Sequence, residues 1–258
     1  TITVKLNADA RERGEIDAHI TGRANVLNSP YGDCRQFQLD GQVTRAVASD
    51  APIKASLSLA AAALTTRQLT TRQARAFVFF TLNPSGGWDV LWNTSFKDAS
   101  TRHGEAAFVG LEGSASADAI NTNEVHANVS LTLNQVESAR TKIGTVRLSS
   151  SLAGDHRSRL LRRAEFKGRI GDLSHGENSA HLLNFSGILR TNPPAASPTN
   201  LPPRLARLAN WELELQLAGT ELRHSVTRLK SLDLDLDWSA PSLQIKTLTA
   251  ELEDGRLN

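Results

Sequence analysis

Between residues 232 and 238 the chain reads Leu-Asp-Leu-Asp-Leu-Asp-Trp. A helix turns about 100° per residue and would scatter the three aspartates around its axis. A strand sends successive side chains to opposite faces. Only the strand gives this segment one apolar face, Leu232, Leu234, Leu236 and Trp238, and one wet face, Asp233, Asp235 and Asp237. A slip of one residue would turn the three aspartates inward, so the register is fixed as well.

The same period of two runs through the rest of the sequence. Leu213, Leu215 and Leu217 alternate with Glu212, Glu214 and Gln216; Val129, Leu131 and Leu133 alternate with Ser130 and Thr132. Ile2, Val4 and Leu6, then Ile16, Ala18 and Ile20, then Phe37, Leu39 and Val43, then Ile53, Ala55, Leu57 and Leu59 extend the pattern toward the N-terminus. One-sided strands define an antiparallel sheet with one solvated face. About fourteen such strands are expected, reversed at turn signals such as Asn28–Asp33 and Asn83–Gly87. The fold class is all-β: a long, mostly antiparallel sheet of stacked hairpins. Phe77, Val78, Phe79 and Phe80 break the alternation, which predicts cover on both faces of that strand.

Residues 193–203 hold five of the nine prolines, a stiff extended connection. After it, Leu201, Leu205 and Leu208 recur at helical spacing around Arg204 and Arg207, which predicts one short helix near 202–209 with Pro203 in its first turn. Strand texture is alike on both sides of the prolines. We therefore expect one β-rich domain over 1–258 with the proline-rich insertion as a sub-boundary. Strands recur every 12 to 20 residues without a strict period. Methionine is absent and the chain opens on Thr1, so a piece of a longer chain is expected.

Composition excludes several classes. Basic residues number 29 and acidic 27, a net +2 that makes no electrostatic case for nucleic acid. A single cysteine, Cys34, excludes an internal disulfide framework and a cysteine zinc cluster. No segment approaches the roughly 20 apolar residues of a membrane-spanning helix. No G-x-S-x-G elbow, phosphate loop or HExxH is present. Two His-Gly-Glu tripeptides, at 103–105 and 175–177, offer an imidazole and a carboxylate two residues apart; such glycine tripeptides between one-sided strands read as hairpin turns. The basic run Arg157, Arg159, Arg162 and Arg163 reads as a solvated turn. We expect no enzyme activity, no cofactor and no metal.

Long runs of one-sided strands, few aromatics and the phrase Leu248-Thr249-Ala250-Glu251-Leu252-Glu253-Asp254-Gly255-Arg256-Leu257 resemble the AsmA-like proteins of bacterial envelopes, the TamB and YhdP type. Residues 201–219, LPPRLARLANWELELQLAG, resemble the short proline-preceded helix that leads into a new strand set in that family. The resemblance implies a curved β-groove, a periplasmic location and an inner-membrane anchor outside this chain. It also implies a bridge for lipid transfer, with phospholipid or another acyl-chain ligand in the groove. The groove would be lined by Leu57, Leu59, Val129, Leu131, Leu133, Leu213, Leu215, Leu217, Leu232, Leu234 and Leu236. Two other readings stay open. One is a structural or adhesive β-sandwich, whose apolar faces would meet across a dry core about 10 Å thick. The other is a carbohydrate-binding module, for which Trp88 and Trp92, four apart on one strand, form the candidate platform.

Overall fold

The computed structural model describes residues 2–10, 15–46, 50–118, 123–155, 157, 160–191, 210–239 and 242–252. These residues form one antiparallel sheet of sixteen strands. The strands are β1 (Ile2–Ala10), β2 (Ile16–Ser29), β3 (Gly32–Arg45), β4 (Ile53–Ala61), β5 (Ala63–Thr66), β6 (Thr70–Thr71), β7 (Gln73–Leu82) and β8 (Trp88–Thr101). They continue as β9 (Gly104–Ala117), β10 (Glu124–Glu137), β11 (Thr141–Asp155), β12 (Leu160–His175), β13 (Asn178–Thr191), β14 (Trp211–His224), β15 (Thr227–Ser239) and β16 (Ser242–Leu252). Fourteen follow one another in chain order across the sheet; β5 and β6 lie off that path. Both are continuations of their neighbours: β3 holds β4 and β5 in one unbroken register, and β8 does the same for β7 and β6. Fourteen long strands thus account for the architecture, as the alternation predicts.

No helix occurs among the described residues, and none there is long and apolar enough to cross a membrane. The helix expected near 202–209 and the proline-rich segment 193–203 lie outside the described residues. The chain divides into two compact units, Thr1–Gln135 and Val136–Asn258.

The repeat that spacing alone conceals appears in the turns. In the first unit, hairpin turns begin at Ser29, Thr66 and Thr101. In each, the first residue's hydroxyl donates to the carbonyl three residues on (Gly32, Leu69, Gly104) and accepts the N–H two residues on. In the second unit the corresponding turns begin at Ser138, His175 and His224. Successive turns are 37, 35, 37 and 37 residues apart, then 49 across the stretch that carries the prolines. One hairpin is the repeating element; its four-residue turn recurs while its residues and conformation vary, with Gly176 and Ser225 at positive φ in the last two, which is why no sequence period is visible.

A second recurrent feature lies close to these turns. Gln36, Asp98, Gln135, Asp172 and Glu221 all have positive φ, between 49° and 54°. Each shifts the alternation by one, so that apolar residues are spaced three apart there: Ala24 to Leu27, Phe96 to Ala99, Leu133 to Val136, Ile170 to Leu173. The left-handed residue re-aims the side chains beyond it while the register with the neighbouring strands is kept. Here the shift keeps apolar residues on the same face up to the turns.

Candidate functional site

Residues paired directly across a ladder share a face, so the register maps each face. In the first unit one row runs Leu6, Ile20, Gly41, Leu57, Val78, Trp92, Gly113. The next row contains Gly22, Leu39, Leu59, Ala76, Thr94 and Leu111. The residues between, Asp40, Ser58, Asn93 and Glu112 among them, occupy the opposite face. In the second unit a row runs Leu148, Gly168, Phe185, Leu217, Leu234, Leu248, and its neighbour Ser150, Phe166, Gly187, Leu215, Leu236, Ile245. The facing side carries Lys167, Ser186, Gln216 and Asp235.

Six of the expected groove residues therefore meet in the second unit: Leu215 pairs with Leu236, Leu217 with Leu234, Leu213 with Trp238 and Leu232 with Gly219. Leu57 and Leu59 occupy successive inward positions of β4 in the first unit. Val129, Leu131 and Leu133 alternate along β10, all half-buried.

Glycines and aromatics interlock on these rows. A Cβ on Gly168 would lie 2.2 Å from Phe185 Cζ, and one on Gly187 would lie 2.6 Å from Phe166 Cζ. The two rings sit 6.5 Å apart, tilted. Each ring lies across the opposite strand's glycine, which levels the surface without a second layer. Trp92 does the same over Gly113, at 2.4 Å from the ring. Trp92 is thus laid down on the apolar face, and Trp88, four residues before it on β8, shares that face.

Element contacts run between strands adjacent in the sheet. Among the described residues the buried apolar ones are seven alanines with Cys34 and Val146, and the most enclosed side chain is Thr71, 1% exposed. Only short side chains, sunk between taller neighbours, are shielded. Large ones are not: Leu57 is 39% exposed, Leu243 60% and Leu248 62%. A packed sandwich would enclose such residues.

The apolar face of the first unit deepens near the turns into a cavity of about 330 Å³. Its lining includes Leu27, Cys34, Phe37, Leu59, Leu64 and Phe96, with Ala61, Ala74 and Ala76. Burial, then the adjacent Asp33, raise the Cys34 thiol above its ordinary pKa, so it is mostly protonated at neutral pH. Thr71 closes the cavity's end of the sheet, its hydroxyl 2.5 Å from the carbonyl of Lys97. The opposite face of the same unit carries the other half of the Phe77–Phe80 run: Phe77 is 43% and Leu91 51% exposed, so that side is bare among the described residues.

The polar side chains do not converge. Both His-Gly-Glu tripeptides sit at hairpin turns, where Arg102 Nε donates to His103 Nε2 at 2.8 Å and His175 Nδ1 lies 2.7 Å from Thr141 Oγ1. His181 lies 2.9 Å from Asp172 and His19 3.1 Å from Asp40, both exposed. In the basic run Arg162 pairs with Asp155 at 3.3 Å and Arg163 with Glu165; Arg159 lies outside the described residues. Among the described residues no three His, Cys, Asp or Glu side chains gather as a metal site would require.

The face, its cavity and the turn repeat define a class: a one-sheet, two-faced β-protein whose apolar side is uncovered among the described residues. No protein-family model, curated protein or solved structure matches the chain.

Proposed function

We propose that the chain is a non-enzymatic, lipid-binding segment of a cell-envelope protein of the AsmA-like type. Its apolar face holds or conducts phospholipid, or another acyl-chain ligand, between the inner and outer membranes of a bacterium. On this reading the protein works in the periplasm and is held at the inner membrane by a segment outside this chain. The observation that carries the reading is the uncovered apolar face. Rows of Leu, Val, Phe and Trp continue from strand to strand in each unit, yet their large side chains stay partly exposed, and Leu57, Val78 and Leu111 in the first unit and Ile245 and Leu248 on the edge strand of the second are exposed. Contiguous exposed apolar surface marks a place where something apolar binds. Roughly ten buried methylenes are worth about 8 kcal/mol gross. That is comparable with the ~4–15 kcal/mol cost of association, so a lipid tail would be held reversibly.

The test is lipid extraction and native mass spectrometry of protein purified from a bacterial membrane lysate. One or more phospholipids per chain are expected. Protein that carries none, and takes none from phosphatidylethanolamine vesicles, defeats the proposal.

A further inference from the structure

The apolar face of the first unit is not uniform. Side chains on one face of a strand are ~6.6 Å apart along it, and strands are ~4.8 Å apart. Along β7 the inward positions nearest the turns are Ala74 and Ala76, and the next are Val78 and Phe80. Two alanines in succession remove one ridge of the sheet. They leave a slot about two strand spacings, roughly 10 Å, between the ridge on β3 and β4 and the ridge on β8. Phe37, Leu59 and Leu64 stand on one side and Thr94 and Phe96 on the other. Where Gln36 and Asp98 take positive φ the chain bends at Ala62 and Arg72, and the cavity continues past that line to Leu27, Cys34 and Leu64. Polar lining residues are Thr94 and Arg75 along the slot and Ser29, Tyr31, Asp33 and Thr66 toward the turns.

From this geometry we infer that the cavity is a seat for one unbranched acyl chain, lying along β7 with its polar head at the turns around Tyr31. The inference rests on the lipid-binding reading above and names the place where a chain is gripped. At the ~30 Å³ that a water-sized group occupies in a liquid, about 330 Å³ accommodates roughly eleven methylene-sized groups. The polar rim and apolar floor match an amphiphile that enters tail first.

Cys34 supplies the readout. It is the chain's only cysteine, 7% exposed, and lines the seat. Delipidated protein is incubated with phosphatidylethanolamine vesicles and repurified. Bound phosphorus per chain and the rate of Cys34 modification by methyl methanethiosulfonate are then measured on the same sample. A parallel series uses free carboxylates from hexanoate to stearate, which separates the phospholipid from its bare acyl chain as the source. Modification is expected to slow at least tenfold in lipid-loaded protein. In the carboxylate series protection should rise with length and level off near eleven or twelve carbons. Ala76→Leu, which restores the missing ridge, should abolish the length-dependent protection while phospholipid still binds elsewhere on the face. Lipid that binds without slowing Cys34 modification overturns the seat and leaves the lipid-binding reading standing. Failure to bind any lipid overturns both. Should Ala76→Leu not fold, the length series decides alone: protection that is independent of chain length rejects the seat.

Discussion

Replacing Leu234 by aspartate tests whether the apolar face of the second unit is open. Leu234 lies between Leu217 on β14 and Leu248 on β16, with Leu232 and Leu236 on either side along β15. It is half-buried. Full burial of a leucine is worth about 1.5–3 kcal/mol, so half of it is about 1–1.5 kcal/mol. The new carboxylate reaches water past its exposed neighbour Leu248, which limits the desolvation cost to about 1 kcal/mol. The sum is a loss of about 2–2.5 kcal/mol. For a unit of this size that lowers Tm by roughly 10 °C. A closed two-layer core would behave differently. There an unpaired buried carboxylate costs several kcal/mol beyond the lost packing, enough to remove much of a typical stability of about 5–15 kcal/mol. Thermal melts by circular dichroism measure the first quantity, and bound phospholipid after vesicle incubation measures the second. The expected outcome is a folded variant with a depressed Tm and less lipid. A variant unfolded at 25 °C would show that the face is enclosed. A folded variant with its full lipid load would show that lipid does not use this face.

Three further outcomes follow from the geometry. Glu221 holds φ near 51° on an extended strand. Glu221→Gly should relieve about 1–2 kcal/mol of left-handed strain against ~0.5–1 kcal/mol of added chain entropy, raising stability by about 0.5 kcal/mol in urea titration; a loss of 1 kcal/mol or more would contradict the strain argument. Gly168→Ala must displace the Phe185 ring, which lies 2.2 Å from the new Cβ, and should cost about 1–3 kcal/mol; an unchanged melt would mean that the ring does not rest there. The raised Cys34 pKa makes the folded protein hold a proton that the unfolded chain releases near pH 8.5. Stability should therefore be flat below that pH and fall as pH rises from it toward the folded value. Cys34→Ala should flatten the fall, and an identical pH profile in the variant would remove the cause assigned to Cys34.

The alternation of β14 and β15 is legible because each residue's face depends only on its neighbours in sequence. The paired rows Leu217 with Leu234 and Leu215 with Leu236 follow once the hairpin closes at His224–Thr227. Other features need register between strands distant in sequence. Gly168 and Phe185 are 17 residues apart and meet only because β12 and β13 pair as they do. The cavity needs Ala74 and Ala76 beside Phe37 and Phe96, contributed by three strands. The 37-residue repeat is hidden because a Ser or Thr hydroxyl, a histidine or a glycine can each close the same four-residue turn. The positive-φ residues carry no glycine to announce them. Their trace is an apolar spacing of three near each turn, as from Leu133 to Val136, which reads as a lapse in the pattern when the turn itself is not located.

Those lapses bear on function. Each of Gln36, Asp98, Gln135, Asp172 and Glu221 holds a left-handed conformation that L residues avoid at about 1 kcal/mol or more. Without the shift, Leu27, Cys34 and Leu64 would lie on the wet face of the first unit and the apolar rows would stop short of the turns. With it, those three residues line the same cavity as Phe37 and Leu59. Folding alone gains little from this, because the extended rows remain exposed and an exposed apolar surface invites association. Strain repeated on five strands, together with small residues sunk beneath tall ones, is coherent with a face kept continuous for an apolar partner. On the proposed reading that partner is a lipid, whose acyl chain would lie along the rows of aliphatic side chains.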